Sequence, residues 1–162
     1  VTIAGNFVIA LEEHYWDAEL SATFTGPEGK APPIRKRLED LGELRLAEMD
    51  EAGIDMQVLS HSAPSTQRLD PESAVRLARG ANDRLRIAID RHPDRFAGFA
   101  TLPTPDPKAA ADELERAVTK LGFKGAMVHG LTNGVFFDDR RFWPILERAQ
   151  ALDVPIYLHP AP

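Results

Sequence analysis

The 162-residue chain contains no cysteine, so disulfide frameworks, thiolate nucleophiles and zinc-thiolate sites are excluded. A reducing cytoplasm is accordingly a permitted location. Any metal would have to be held by His, Asp, Glu or water. Long apolar runs are also missing: the longest, Phe7 to Leu11 and Gly122 to Val128, fall far short of a bilayer span. Val1 to Gly5 lacks the basic start of a signal peptide. The expectation is a soluble, untargeted chain with no membrane partner. Positive charge is in the minority, 19 Lys and Arg against 25 Asp and Glu for a net charge of -6, and no basic stripe could track phosphates. Nucleic acid is therefore not expected as a partner. Neither GxGxxG nor GxxxxGK[ST] follows the first apolar run, which removes the usual support for a nucleotide site.

What is present is the composition of one globular domain, 43% hydrophobic and 27% charged. Phe7 to Leu11 reads as a strand buried on both faces, stopped by Glu12, Glu13 and His14. Ser21 to Pro33, rich in Thr, Gly and Pro, reads as a long loop, and Gly26 to Pro33 is expected to border an active-site mouth. Arg35 to Ala52 then reads as one helix ended by Gly53. Further strands are expected at Ile54 to Ser60, Phe96 to Leu102, Phe123 to Val128 and Val154 to Leu158. The helices between them are Pro71 to Arg91, Asp106 to about Lys120 and Asp138 to Ala151. Alternation of apolar strands with helices argues for a parallel sheet covered on both sides. A doubly wound sheet fits this length, whereas an eight-stranded barrel needs roughly 250 residues.

Four of the five histidines, His14, His61, His129 and His159, fall at the ends of expected strands. In a parallel α/β fold those ends share the ligand-binding face, so four imidazoles are expected around one cavity. His92, at a helix exit, reads as structural. Glu12 and His14 are two residues apart and point to the same side of an extended segment, with Glu13 opposite. They form the natural metal pair, with His159 as third ligand, a donor set that suits zinc, manganese or iron(II).

The segments Leu11-Glu12-Glu13-His14, Leu41 to Asp55, Leu59-Ser60, Ala81-Asn82-Asp83, His92 to Phe96, Leu121 to Gly125 and Tyr157-Leu158-His159-Pro160 resemble the amidohydrolase-related decarboxylases. That branch includes the aminocarboxymuconate semialdehyde, γ-resorcylate, dihydroxybenzoate and 5-carboxyvanillate decarboxylases. The resemblance implies a distorted (β/α)8 barrel of which residues 1–162 are the first five βα units, one domain with a loop insertion at about 21–34. It implies one divalent metal ion, zinc or manganese, on Glu12, His14 and His159, completed in the family by a sixth-strand histidine and an eighth-strand aspartate. The missing half of the barrel is expected on the same or another chain, without which the 162 residues would neither fold stably nor turn over substrate. An aromatic carboxylate such as a hydroxybenzoate is the implied substrate, with His129 and His61 lining the pocket as catalytic residues. Phe24 and Trp16, apolar residues near the loop, either cover the ring or are ordinary packing. A cytoplasmic homo-oligomer is implied as well. Hydrolysis or hydration on the same scaffold is the alternative chemistry, and a noncatalytic partial barrel the alternative class.

Overall fold

The computed structural model describes residues 5–26 and 32–160. Its strands are β1 (Ile9–Tyr15), β2 (Met56–His61), β3 (Phe96–Gly98), β4 (Ala100–Thr101), β5 (Ala126–His129) and β6 (Ile156–His159). Its helices are α1 (Ala18–Ser21), α2 (Pro32–Glu39), α3 (Glu43–Ala52), α4 (Pro71–Arg91), α5 (Pro107–Thr119) and α6 (Trp143–Leu152). The pairings between these strands are parallel, in two ladders ordered β1-β2-β3 and β4-β5-β6.

The expected strand Phe96 to Leu102 is divided at Phe99. Its first half pairs with β2 and its second with β5: the Phe99 amide donates to Leu59 O, and the Ala100 amide to Gly125 O. This change of partner within one strand is the stagger that a sheet acquires as it curls toward a barrel. Five expected strands thus become six short ones in one curved succession.

Side chains alternate between two faces. Leu59, Phe96, Ala100, Ala126 and Val128 pack under α4, α5 and α6 against Leu85, Ile89, Leu114, Phe123, Phe142 and Ile145, forming the main core. Val58, Ala97, Phe99 and Met127, with Met56 and Tyr157, form a smaller cluster on the concave face. Both faces of the central strands are buried, as parallel sheets require. β1 departs from the expectation: Ile9 is 50% and Leu11 51% exposed, because among the described residues this strand pairs with β2 alone. It also starts later and runs further than expected, carrying Glu12, Glu13 and His14 within it.

Helix starts follow local chemistry. Asp70 accepts from the Ser73 amide ahead of Pro71, and Asp106 from the Ala109 amide ahead of Pro107, as caps with proline in the first turn. The single helix expected over Arg35 to Ala52 is two helices. Asp40 Oδ1 accepts from the Gly42 amide at 2.8 Å, closing a turn that ends α2 and opens α3. The long loop is shorter than Ser21 to Pro33, since Ser21 belongs to α1 and α2 begins at Pro32, while residues 27–31 lie outside the described residues. The last expected helix is a 3-10 turn at Arg140–Phe142 leading into α6. Among the described residues no helix is long and apolar enough to cross a membrane.

Two predictions test this frame. Gly125 has φ +144, and a Cβ there would lie 2.3 Å from Pro155 O, so Gly125→Ala should cost on the order of 3 kcal/mol or more in a denaturant titration. Asp17, buried at the start of α1, takes two hydrogen bonds from Arg84, at 2.5 and 2.8 Å, and one from the Leu20 amide. Burial pushes its carboxyl up, but these donors outweigh burial and hold it below the usual carboxylate range. Its stabilisation is therefore complete above the ordinary Asp pKa of about 3.9 and lost as pH falls through the lower folded value. Arg84→Met should cost about 1–3 kcal/mol at neutral pH, between an exposed and a buried pair, and should flatten the acid limb of the stability curve.

Candidate metal centre

The strand ends that carry Glu12, His14, His129 and His159 meet on the concave face. In β1 the register against β2 slips: Ile9 and Ala10 pair with Met56 and Gln57, but Glu13 pairs with Leu59. One extra residue in β1 makes a bulge, a device that re-aims side chains. Past it, Glu12 and His14 face His159 across the opening, while Glu13 is turned to the helix side and feels the charge of Arg45.

Glu12 Oε1 lies 2.7 Å from His159 Nε2, His159 Nε2 lies 3.3 Å from His14 Nε2, and the three donor atoms fall within 4.8 Å of one another. Two ring nitrogens and a carboxylate oxygen aimed at one point form an N/O donor set that fits a divalent ion of the zinc, manganese or iron(II) kind. The second donor atom of each of these residues reports how it is held. His14 Nδ1 is 3.1 Å from Ser60 Oγ, which leaves Nε2 free to face the centre. Glu12 Oε2 accepts from the Tyr157 hydroxyl at 2.7 Å. His159 Nδ1 is buried with no hydrogen-bond partner among the described residues. The Tyr157 hydrogen bond lowers the Glu12 pKa, as does the neighbouring His159, and burial lowers that of His14. Both shifts favour the metal-ready forms, carboxylate and neutral imidazole.

His129 joins the cluster, its ring 5.0 Å from that of His159 and 5.7 Å from that of His14. Its Nε2 donates to His61 O at 2.7 Å, so the unshared pair is on Nδ1, which is buried and unpaired among the described residues. Burial pushes its pKa down to about 4, and the ring stays neutral near pH 7. Its backbone is clamped by the buried Gln67, whose Oε1 accepts from the His129 amide at 2.6 Å and whose Nε2 donates to His129 O.

The expectation of four converging imidazoles is corrected to three. Ser60 occupies the inward position of β2 opposite His14, so the next residue, His61, faces away. Its ring packs on Tyr15 and Phe24, at 5.3 and 5.7 Å. His61 Nδ1 donates to Ser62 O, and burial lowers its pKa to about 4. Phe24 also meets Trp16, edge to face at 5.9 Å, and Trp16 Nε1 donates to Ser62 Oγ at 2.6 Å. Trp16, Phe24 and His61 thus form an aromatic group beside the imidazole cluster, not within it.

Four residues that hold this site are not among those expected from the sequence. Tyr157 had a signal, since it precedes His159 by two and so shares its face. Ser60 had one too, as the neighbour of a strand-end histidine. The buried Arg45, which donates to His14 O at 2.8 Å, and Gln67 reach the site from a helix and a loop, and their places follow from tertiary packing.

The chain is similar to known decarboxylases, two of them solved with bound manganese. The γ-resorcylate decarboxylase of Polaromonas sp. strain JS666 is 44% identical over 164 residues, covering 96% of this chain and 50% of that protein. Among solved structures, dihydroxybenzoic acid decarboxylase from Polaromonas sp. JS666, with bound manganese and the inhibitor 2-nitroresorcinol, superposes with a TM-score of 0.85 at 44% identity, over 96% of this chain and 50% of that one. The 5-carboxyvanillate decarboxylase of Novosphingobium aromaticivorans, also with manganese, gives 0.91 at 35% identity, over 97% and 51%. The chain spans about half the length of these relatives, and its curved parallel sheet corresponds to part of their amidohydrolase-type barrel. The amidohydrolase family model matches residues 11–162, and the chain belongs to that family.

Proposed function

We propose that this chain supplies the first part of a single-domain, metal-dependent decarboxylase that acts on an ortho-hydroxylated aromatic acid of the 2,6-dihydroxybenzoate kind. The observation that carries the reading is the convergence of Glu12, His14 and His159, with donor atoms within 4.8 Å, in a chain 44% identical to a γ-resorcylate decarboxylase. Manganese is the preferred ion, as in the related structures, with zinc the alternative.

When bound, the ion supplies Lewis acidity and a template for the substrate carboxylate and its ortho oxygen. The protein's own groups set the rest. Glu12, His14 and His159 hold the ion, and Ser60 fixes the orientation of the His14 ring. The buried, neutral His129 presents Nδ1 as an acceptor beside the site, suited to orienting a phenolic hydroxyl. His61 contributes through its carbonyl, which locks His129 in that tautomer, while its ring packs on Tyr15 and Phe24 beside the cluster. Phe24 and Trp16 offer an aromatic wall on which a benzoate ring would pack and from which water is excluded. Protonation at the carbon bearing the carboxylate breaks the ring's conjugation. Cleavage of the carbon–carbon bond then returns its electron pair to the ring, and carbon dioxide leaves. The family's eighth-strand aspartate, the group implied to move that proton, belongs to the length of the relatives that this chain does not match. A cytoplasmic homo-oligomer is part of the proposal, and the lack of cysteine is compatible with a reducing compartment.

Two measurements test it on the full-length protein. His159→Ala should weaken Mn²⁺ binding on the order of 100-fold by calorimetry, since a direct ligand matters at least as much as its outer partners; full occupancy in that variant would remove the ligand assignment. Carbon dioxide should be released from 2,6-dihydroxybenzoate, cease on chelation and return with Mn²⁺. Ammonia or alcohol release instead would favour the hydrolase alternative, and metal binding without turnover of either kind the noncatalytic one.

A further inference from the structure

The two oxygens of Glu12 have different partners. Oε1 faces His159 Nε2 at 2.7 Å and belongs to the converging donor set, whereas Oε2 accepts from the Tyr157 hydroxyl at 2.7 Å. Tyr157 is placed for this by its strand. It lies two residues before His159 on β6, so both project from the concave face, and its ring leans on Phe99 at 6.2 Å in the inner apolar cluster. The ring base thus packs in the apolar cluster, while the hydroxyl end stands at an exposed position beside Glu12. Tyr15, by contrast, is buried on the helix side of the sheet.

A carboxylate can give a metal ion one oxygen or both, and an oxygen already accepting a short O–H bond is the poorer ligand. Resting on the reading of Glu12, His14 and His159 as a metal site, we propose that Tyr157 is a positioning residue that confines Glu12 to one metal-directed oxygen and so leaves a position on the ion open for a substrate oxygen. Ser60 does a comparable task for His14 through Nδ1, but there only ring orientation is at stake. At Glu12 the outer partner governs how many donors the protein contributes. With three protein ligands from these strands, one extra oxygen from Glu12 would compete with the aromatic acid for the ion.

The test uses Tyr157→Phe in the full-length protein, a change that keeps the ring on Phe99 and removes the hydroxyl alone. Three quantities are read: Mn²⁺ affinity by calorimetry, the water-proton relaxation rate of the bound Mn²⁺, and the Kd for 2,6-dihydroxybenzoate. The variant should bind Mn²⁺ as tightly as the parent or more tightly, with a relaxation rate reduced by one exchanging water. Its Kd for the acid should rise about 10-fold or more, the scale on which outer partners of metal ligands act. Unchanged relaxation with the Kd for the acid within twofold would overturn the proposal and leave Tyr157 as packing. A tenfold loss of Mn²⁺ affinity would overturn it too, because the hydroxyl would then be supporting the ion. If the parent protein itself bound no Mn²⁺, the metal reading would fail first, and this inference with it.

Discussion

One added residue in β1 governs the centre. Parallel ladders alternate side chains between faces, so a shift of a single residue exchanges every side chain beyond it between core and cavity. The bulge between Ala10 and Glu13 makes that shift. Beyond it Tyr15 enters the main core, Glu13 turns toward Arg45, and Glu12 and His14 face the cavity where His159 arrives from β6. The remaining features of the site serve to hold the strand ends at the positions this register gives them.

Side-chain amides and a buried guanidinium do much of that holding. Where the ladder runs out, Gln67 pairs with both backbone groups of His129, and Asn82 pairs in the same way with the amide and carbonyl of Thr101. Each amide side chain imitates a neighbouring strand, satisfying groups that would otherwise be buried without partners. Arg45 reaches from α3 to His14 O, to Gln57 and to the carbonyls of Arg37 and Asp40, so β1, β2 and the end of α2 are joined at one point. Loss of such a buried charge would leave several acceptors unpaired at once. Glu12, His14 and His159 sit on strands rather than loops, which would suit a site that needs fixed donor positions.

The imidazoles divide by the same logic. His14, His129 and His159 occupy inward positions, and His61 an outward one, because Ser60 already fills the inward position opposite His14. Burial keeps His61 and His129 neutral, and each donates one ring proton to a carbonyl, leaving a defined unshared pair. A neutral, oriented imidazole here would avoid the repulsion that a charged ring would meet from a bound cation.

The order of strands and helices, the capping aspartates Asp70 and Asp106, and the pairing of Glu12 with His14 were legible in the chain, because period, cap chemistry and i, i+2 spacing are local properties. The ligand role of His159 rested on family resemblance together with its strand-end position, and the structure brings its Nε2 to Glu12 and His14. What the residues alone left open was decided by tertiary structure. The break that splits one expected helix into two is closed locally by Asp40 and Gly42, and only the docking of α2 beside the end of β1, where the Trp16 amide donates to Leu38 O, is tertiary. The outward turn of His61 depends on the register of β2 against β1. The unequal partners of the Glu12 oxygens depend on residues 145 positions apart in the chain. Composition and periodicity state which face a residue can occupy, and only pairing between distant strands states which atom it meets there.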